Sequence, residues 1–119
     1  MRKEDIRQKL YNLIGSVVTV YIDRPLGSIH PKHHDILYKV NYGYIKEIIA
    51  LDGKYQDAYL IGIDTPVDKY QGKVCAIVER NNDVEDKLIV VTNNKEYSIE
   101  ELKELINFQE QYFDYQIKK

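Results

Sequence analysis

A chain of 119 residues is long enough for one hydrophobic core, so we expect residues 1–119 to form a single domain. The formal net charge of −2 argues against a strongly basic surface for nucleic acid. The single cysteine excludes an internal disulfide. The charged N-terminus is unlike a signal peptide, and no apolar run is long enough to span a membrane. We therefore expect a cytoplasmic protein.

The N-terminal segment has apolar residues at helical spacing. Ile6, Leu10 and Leu13 recur every three or four positions, and Gly15 follows as a helix stop. This pattern predicts a short amphipathic helix over residues 3–13.

The middle of the chain has the pattern of short strands separated by turns. Apolar and β-branched residues predict strands in the segments SVVTVYID, DAYLIGI, KVCAIVER and KLIVVT. The segment ILYKVNYGYIKEIIAL predicts a strand, a tight bend and a second strand. Two prolines and a glycine predict a loop in RPLGSIHPKHHD.

A capping pattern marks the start of a C-terminal helix. Ser98 and Glu101 fit the reciprocal capping box, and Tyr97 can pack on Leu102 as a hydrophobic staple. The apolar face of this helix is expected to continue as far as Ile117. Several short strands between two helices predict a small closed or half-open β-barrel.

Two aspartates, Asp52 and Asp57, lie five positions apart with Lys54 between them. The dipeptide Asp52-Gly53 alone is typical of a hairpin turn. Asp57 begins an otherwise apolar strand, so a turn and a strand end could each place a carboxylate in one cleft. Mg²⁺ binds through one or two carboxylates together with substrate phosphate oxygens. Both interpretations, a turn and a metal site, stay open.

A second group of charges lies in the segment NNDVEDK. If this segment is an ordinary charged hairpin, then Asp83, Glu85, Asp86 and Lys87 are simply solvated. The same residue types would also suit a metal site, with carboxylates for the cation and a lysine for a phosphate.

Tyrosines and histidines are the other candidate site residues. Most of the 11 tyrosines are expected to pack in the core or on the surface. Tyr42 is the exception, because the neighbouring Gly43 allows close approach and a phenol can donate to a phosphate oxygen. His30, His33 and His34 lie in the proline-broken loop, and we expect surface residues there rather than a metal cluster.

Taken together, these motifs resemble those of the soluble Mg²⁺-dependent inorganic pyrophosphatases. Members of that family carry Tyr-Pro-x-Asn-Tyr-Gly-Tyr followed shortly by Asp-Gly-Asp-Pro-x-Asp. Residues 38–44 read Tyr-Lys-Val-Asn-Tyr-Gly-Tyr, and residues 52–57 read Asp-Gly-Lys-Tyr-Gln-Asp. The resemblance covers residues 17–115 and departs from the family at Lys39 and at Lys54, where the family has a proline and an aspartate.

The resemblance implies metal ligands and a base. Asp52 and Asp57 match metal-binding carboxylates, and Asp57 also matches the residue that helps to activate the attacking water. Asp83 and Asp86 are matched with a later metal-binding pair, and Asp23 with an early metal-site glutamate.

The resemblance also implies phosphate-binding residues. Tyr42, Lys87 and Tyr112 match positions that contact phosphate, whereas Phe113 stands where the family has a lysine. The segment that supplies further basic residues in the family is mostly missing here, and Arg24, His30 and Lys32 are candidates to replace them. For Lys54 three placements are open: facing the solvent, pointing inward and repelling Mg²⁺, or contacting phosphate, and we expect the contact with phosphate.

The function implied by the resemblance is the hydrolysis of pyrophosphate, or of a related phosphoanhydride, with Mg²⁺ or Mn²⁺ as cofactor. The implied fold is a mainly antiparallel β-barrel of the oligonucleotide-binding (OB) type with a helix at each end. The expected partner is a small phosphoanhydride, with no nucleic acid and no membrane, and a homo-oligomer is left open. Two alternatives remain: a non-catalytic phosphate- or nucleotide-binding module on this barrel, and a barrel that binds single strands through stacked tyrosines.

Overall fold

The structure, a computed structural model, describes residues 2–119. The helices and strands follow along the chain in the order α1 (Lys3–Asn12), β1 (Val17–Arg24), β2 (Asn41–Ile49), β3 (Tyr55–Ile61), β4 (Lys69–Arg80), β5 (Lys87–Val91), α2 (Ile99–Glu110) and β6 (Tyr115–Lys118). Neither α1 nor α2 is both long enough and apolar enough to cross a membrane.

Within residues 2–119, five strands close into a barrel. The order is β1-β2-β3-β5-β4, and β4 pairs with β1 to complete the ring. The β3–β5 pairing is parallel and the other four pairings of the ring are antiparallel. The predicted mainly antiparallel OB-type barrel is therefore confirmed, with one parallel contact that makes the sheet mixed.

Strand β6 pairs with the C-terminal part of β4, beyond the residues of β4 that pair with β1. Residues 17–21 of β1 pair with residues 69–73 of β4, whereas β6 pairs with residues 77–80. The backbone groups at the end of β4 thus gain partners after β1 has ended.

One core fills the barrel, because alternate residues of each strand point inward. Its fully buried side chains include Val20, Ile45, Leu60 and Leu88. Leu10 belongs to the same cluster and brings α1 into contact with the barrel.

A second core lies between the barrel wall and α2. Tyr42 and Tyr59 pack there with Leu102 and Ile106 of the helix. Since the Tyr59 hydroxyl also donates to Glu110 in the last turn of α2, the C-terminal end of the helix is held against β3.

Both predicted helices are confirmed, but the C-terminal one is shorter than expected. Ser98 and Glu101 form the predicted capping box, in which the Ser98 Oγ accepts the Glu101 N–H at 3.1 Å. The helix ends at Glu110, and Ile117 lies in β6 instead. The apolar spacing beyond Glu110 reflects burial against the sheet and not a further turn of helix.

The strand predicted in ILYKV is wrong. Residues 36–40 form no strand, although Leu37 makes an isolated bridge with Ile29, and β2 begins at Asn41. The buried Asn41 side chain accepts the N–H of Leu26 and donates to the carbonyl of Thr65, both at 3.0 Å. It therefore anchors two loops at the start of β2.

Gly43 allows β1 and β2 to lie close together. A Cβ at this position would be 1.8 Å from the backbone oxygen of Tyr21. The glycine is therefore required by strand packing, whereas we expected it to admit a phosphate.

Candidate functional site

A cavity of about 440 Å³ opens between the barrel wall and the C-terminal end of α2. In the described part of the chain its lining includes three basic side chains, three aspartates, two histidines and three aromatic rings. The lining comes from β1, β2, β3, β5 and the ends of β4 and α2, and from the loop between β1 and β2, so the barrel topology brings distant parts of the sequence together.

Four of the residues proposed from the sequence line this cavity: Asp57, Tyr42, Lys87 and Tyr112. Asp23, which the resemblance matched with an early metal-site residue, lines it as well. The other predicted site residues are held outside the cavity, each by contacts described below.

Lys87 lies between two carboxylates. Its Nζ is 2.8 Å from Oδ2 of Asp57 and 3.4 Å from Oε1 of Glu85. The residue is only 6% exposed. Burial alone would lower the pKa of Lys87, but Tyr42 and Asp57 raise it by more, so the ammonium stays charged.

Glu85 belongs to the charged segment whose carboxylates were predicted to suit a cation, and it contacts Lys87 beside the cavity. Its Oε2 is buried and has no hydrogen-bond partner within residues 2–119. Burial, followed by the neighbouring Asp52, raises the pKa of Glu85 to about 7. The same contact lowers the pKa of Asp52. Glu85 therefore tends to stay protonated, and its O–H can donate a hydrogen bond to the Asp52 carboxylate.

The signal that could have found Glu85 is its spacing from Lys87. Side chains two positions apart in an extended segment share a face, whereas neighbours point to opposite faces. Glu85 therefore lies on the same face as Lys87 and contacts it, whereas Asp86 points to the opposite face.

Asp52 lies in the turn that one of the two interpretations predicted. Its Oδ1 accepts the N–H of Lys54 at 2.9 Å, and Gly53 has φ +84°, as a tight turn requires. Its carboxyl group also lies beside Glu85, although Asp52 does not line the cavity.

Asp83 and Asp86 do not line the cavity, so the structure does not bring the predicted later metal-binding pair there. Asp86 binds Arg7 through both oxygens, at 2.6 Å and 3.1 Å, and accepts the N–H of Arg80. Asp83 pairs with the Arg80 Nη1 at 2.8 Å. These carboxylates fasten α1 and the β4–β5 turn together and are neutralised by guanidinium groups.

Lys54 is also placed differently from our expectation. It lies exposed in the β2–β3 turn and is not part of the cavity lining. A direct contact between Lys54 and a phosphate in the cavity is therefore not supported.

Arg80 enters the cavity from the end of β4 and is fixed by Glu110. Its Nε is 2.9 Å from Oε1 of Glu110, and its Nη2 donates to Oε2. The guanidinium carbon lies 3.6 Å from the centre of the Phe113 ring. Glu110 is fully buried and also accepts the hydroxyl of Tyr59 at 2.5 Å. The basic group is thus rigidly held by β3 and the end of α2.

A chain of hydrogen bonds connects Arg24 of β1 with the C-terminal end of α2. Arg24 donates to the Tyr38 hydroxyl at 2.8 Å, and this hydroxyl donates to Oε1 of Gln109 at 2.5 Å. The Gln109 amide then donates to the Tyr59 hydroxyl at 2.8 Å. Since Tyr38 is a neutral partner, the Arg24 side chain brings a positive charge to the cavity wall.

Solved structures with a similar fold are bacterial inorganic pyrophosphatases. The enzyme from Ehrlichia chaffeensis aligns with a TM-score of 0.68 and 16% identity, covering 89% of this chain and 87% of that one. The enzyme from Neisseria gonorrhoeae gives a TM-score of 0.60 and 17% identity, covering 94% of this chain and 78% of that one. The chain has the inorganic pyrophosphatase fold. No protein-family model matches the sequence, and no curated protein matches it significantly.

The pyrophosphatase fold raises the question of whether this cavity fits a metal ion. Among residues 2–119 no three His, Cys, Asp or Glu side chains are arranged to hold one as they stand. The Lys87 ammonium lies between two of the carboxylates instead. However, the buried Oε2 of Glu85 has no hydrogen-bond partner among residues 2–119, so this one oxygen is left without a donor or a cation. The carboxylates of Asp52, Asp57 and Glu85 are oxygen ligands of the kind that a hard cation prefers.

The raised pKa of Glu85 predicts a pH-dependent stability. Because its pKa rises from 4.5 to about 7 on folding, this group stabilises the fold fully below pH 4.5 and the stabilisation is lost as the pH rises through 7. Glu85→Gln cannot lose a proton, so its free energy of unfolding should not fall over this range. Between pH 4.5 and 8 we expect it to rise relative to that of the wild type by on the order of 2 kcal/mol.

Urea unfolding of the metal-free protein at several pH values measures this difference. The matched control is Glu104→Gln, which neutralises an exposed glutamate of α2. If the Glu85→Gln and wild-type profiles are parallel, Glu85 does not hold a proton in the folded protein near neutral pH.

Proposed function

We propose that the protein hydrolyses pyrophosphate or a related phosphoanhydride with the help of Mg²⁺. The observation that carries this proposal is that Lys87, which lines one cavity of the pyrophosphatase fold together with Asp57, contacts the carboxylates of both Asp57 and Glu85. A magnesium phosphoanhydride presents charges of both signs. Carboxylates suit its cation and an ammonium suits its phosphate oxygens.

The ion pair between Lys87 and Asp57 supports a separate role for each residue. A phosphate that enters the cavity competes with Asp57 for the Lys87 ammonium, and Arg24 and Arg80 face the same space. When Lys87 turns to the phosphate, the Asp57 carboxylate is released. It can then accept a proton from the attacking water, the step that general-base catalysis requires.

Asp52, Asp57 and Glu85 are the residues that would hold the magnesium ion. When bound, Mg²⁺ or Mn²⁺ supplies charge neutralisation and a lower pKa of coordinated water. The carboxyl group of Glu85 must give up its proton to serve as a ligand.

Phosphate release from pyrophosphate in a series of Mg²⁺, Mn²⁺, Ca²⁺ and metal-free buffers tests this proposal. We expect turnover with Mg²⁺ or Mn²⁺ and none after chelation. Absence of turnover with every metal would reject hydrolysis of pyrophosphate.

A second candidate is binding of a phosphoanhydride without turnover. It is favoured by the Lys87–Asp57 ion pair, which occupies the proposed base, and by the position of Arg80 in the cavity. Calorimetric titration with pyrophosphate separates the candidates, because binding without phosphate release supports this one.

The exposed position of Lys54 predicts a small effect for Lys54→Asp. Interactions between exposed charges contribute up to about 1 kcal/mol, so the Kd for pyrophosphate should change by no more than about fivefold. Lys87→Met is the comparison, since it removes the buried ammonium and should weaken binding far more. A larger loss in Lys54→Asp would show that Lys54 reaches the phosphate after all.

A further inference from the structure

The cavity has an aromatic and apolar part that offers nothing to the charged oxygens of inorganic pyrophosphate. Tyr112, Phe113 and Ile36 line it together with the rings of His30 and His33. Its volume of about 440 Å³ lies in the range of about 300–1,000 Å³ that is usual for organic ligands. Pyrophosphate is a small ion made of charged oxygens, with no apolar group to contact these side chains.

We propose that the phosphoanhydride bound in this cavity carries an aromatic ring, as a nucleoside diphosphate does, and that this ring stacks on Tyr112. The inference rests on the proposed function, since Lys87 and Arg24 would hold the phosphates. It adds the chemical class of the group that is attached to them.

Tyr112 is placed to stack and not to bind phosphate. The residue is 54% exposed and lines the cavity two positions after the end of α2. Its hydroxyl donates to Oδ2 of Asp35 at 3.4 Å. A phosphate at this hydroxyl would meet the Asp35 carboxylate, and the two negative charges would repel each other. A neutral ring beside Tyr112 meets no such repulsion.

Asp35 gives the neutral group a hydrogen-bond partner. Its carboxylate lies at the rim of the cavity and can accept a bond from a base amino group or a sugar hydroxyl. Acceptor groups of this kind favour a nucleoside over a purely apolar aromatic group.

The histidines extend the aromatic surface. The rings of His30 and His33 are 4.8 Å apart, and His30 stacks on Tyr38 at 6.2 Å with an angle of 14°. Burial, together with the nearby Arg24, lowers the pKa of His30. At neutral pH this ring is therefore mostly uncharged, which suits contact with a base more than contact with a phosphate.

Stacking of a base on an aromatic side chain predicts a measurable preference. Such contacts increase affinity by about 5- to 150-fold. Calorimetric titrations in Mg²⁺ buffer with imidodiphosphate and with α,β-methylene-ADP compare the two ligands under conditions in which neither is hydrolysed. We expect the nucleotide analogue to bind at least fivefold more tightly.

Two substitutions at Tyr112 identify the source of the preference. Tyr112→Ala should abolish the advantage of the nucleotide analogue, whereas Tyr112→Phe, which keeps the ring, should retain it. Tyr70→Ala, at an exposed tyrosine outside the cavity, is the control and should change neither Kd. Circular dichroism of each variant verifies folding.

Three results would overturn the inference. Equal affinity for both ligands would reject it while leaving the proposed function standing. An equal loss of both affinities in Tyr112→Phe would show that the hydroxyl binds phosphate. If the wild type binds neither imidodiphosphate nor α,β-methylene-ADP, the proposed function is rejected as well.

Discussion

Replacing Asp57 with asparagine is expected to lower the rate of phosphate release from pyrophosphate by about 10²–10⁴-fold, the usual contribution of a general base. An amide has nearly the shape of a carboxylate but is a poor base and a weaker ligand for Mg²⁺. The Asp57 side chain is 32% exposed at the cavity and lies outside both cores, so the variant should fold. Steady-state assays at saturating Mg²⁺ measure the loss.

The same substitution should have the opposite effect on anion binding. Without the Asp57 carboxylate, Lys87 loses the partner that lies 2.8 Å away and is free to bind a phosphate. We expect pyrophosphate to bind Asp57→Asn more tightly than wild type in metal-free buffer. Asp64→Asn, at an exposed aspartate outside the cavity, is the control. Unchanged turnover in Asp57→Asn would remove this residue from the mechanism.

Replacing Glu110 with glutamine is expected to destabilise the protein by about 3–5 kcal/mol, because it leaves the buried Arg80 guanidinium without its main counter-charge. Glu110 is fully buried and Arg80 is 4% exposed. The variant also weakens the bond from Tyr59 to the end of α2. Urea unfolding monitored by circular dichroism gives the difference in free energy of unfolding.

A double substitution tests whether the loss comes from the unpaired charge. Replacement of both partners by apolar residues often costs little, so Glu110→Leu combined with Arg80→Met should recover much of the stability lost in Glu110→Gln. Glu104→Gln, at an exposed glutamate of the same helix, should change the stability by less than about 0.5 kcal/mol. Equal stabilities of Glu110→Gln and wild type would show that the ion pair contributes nothing net.

Local patterns predicted most of the fold. The capping box at Ser98 and the apolar alternation of the strands gave the helices and the barrel, because both signals depend on residues a few positions apart. Strand β6 was missed since it has only four residues, and the false strand before Asn41 arose because its apolar side chains pack against the second core and not in the sheet.

The site was predicted less completely, and register explains why. Asp86 and Glu85 are neighbours in the sequence and point to opposite faces of the extended chain. Only Glu85, two positions before Lys87, lies on the same face as Lys87 and contacts it. The start of β5 fixes this alternation, and the composition of NNDVEDK does not. The role of Glu110 was equally hidden, since its partners Arg80 and Tyr59 lie 30 and 51 positions away.

The contacts of α1 with the β4–β5 turn have a consequence for biosynthesis. Lys3 donates to the carbonyls of Arg80 and Asp83, both at 2.6 Å, and Arg7 binds Asp86, which is 79 positions later in the chain. On the ribosome, residues near the start emerge first and must wait for the later partners to be translated. The turn that presents Glu85 and Lys87 is therefore secured only after most of the polypeptide has been made, and a nascent chain stopped before this turn has no assembled cavity.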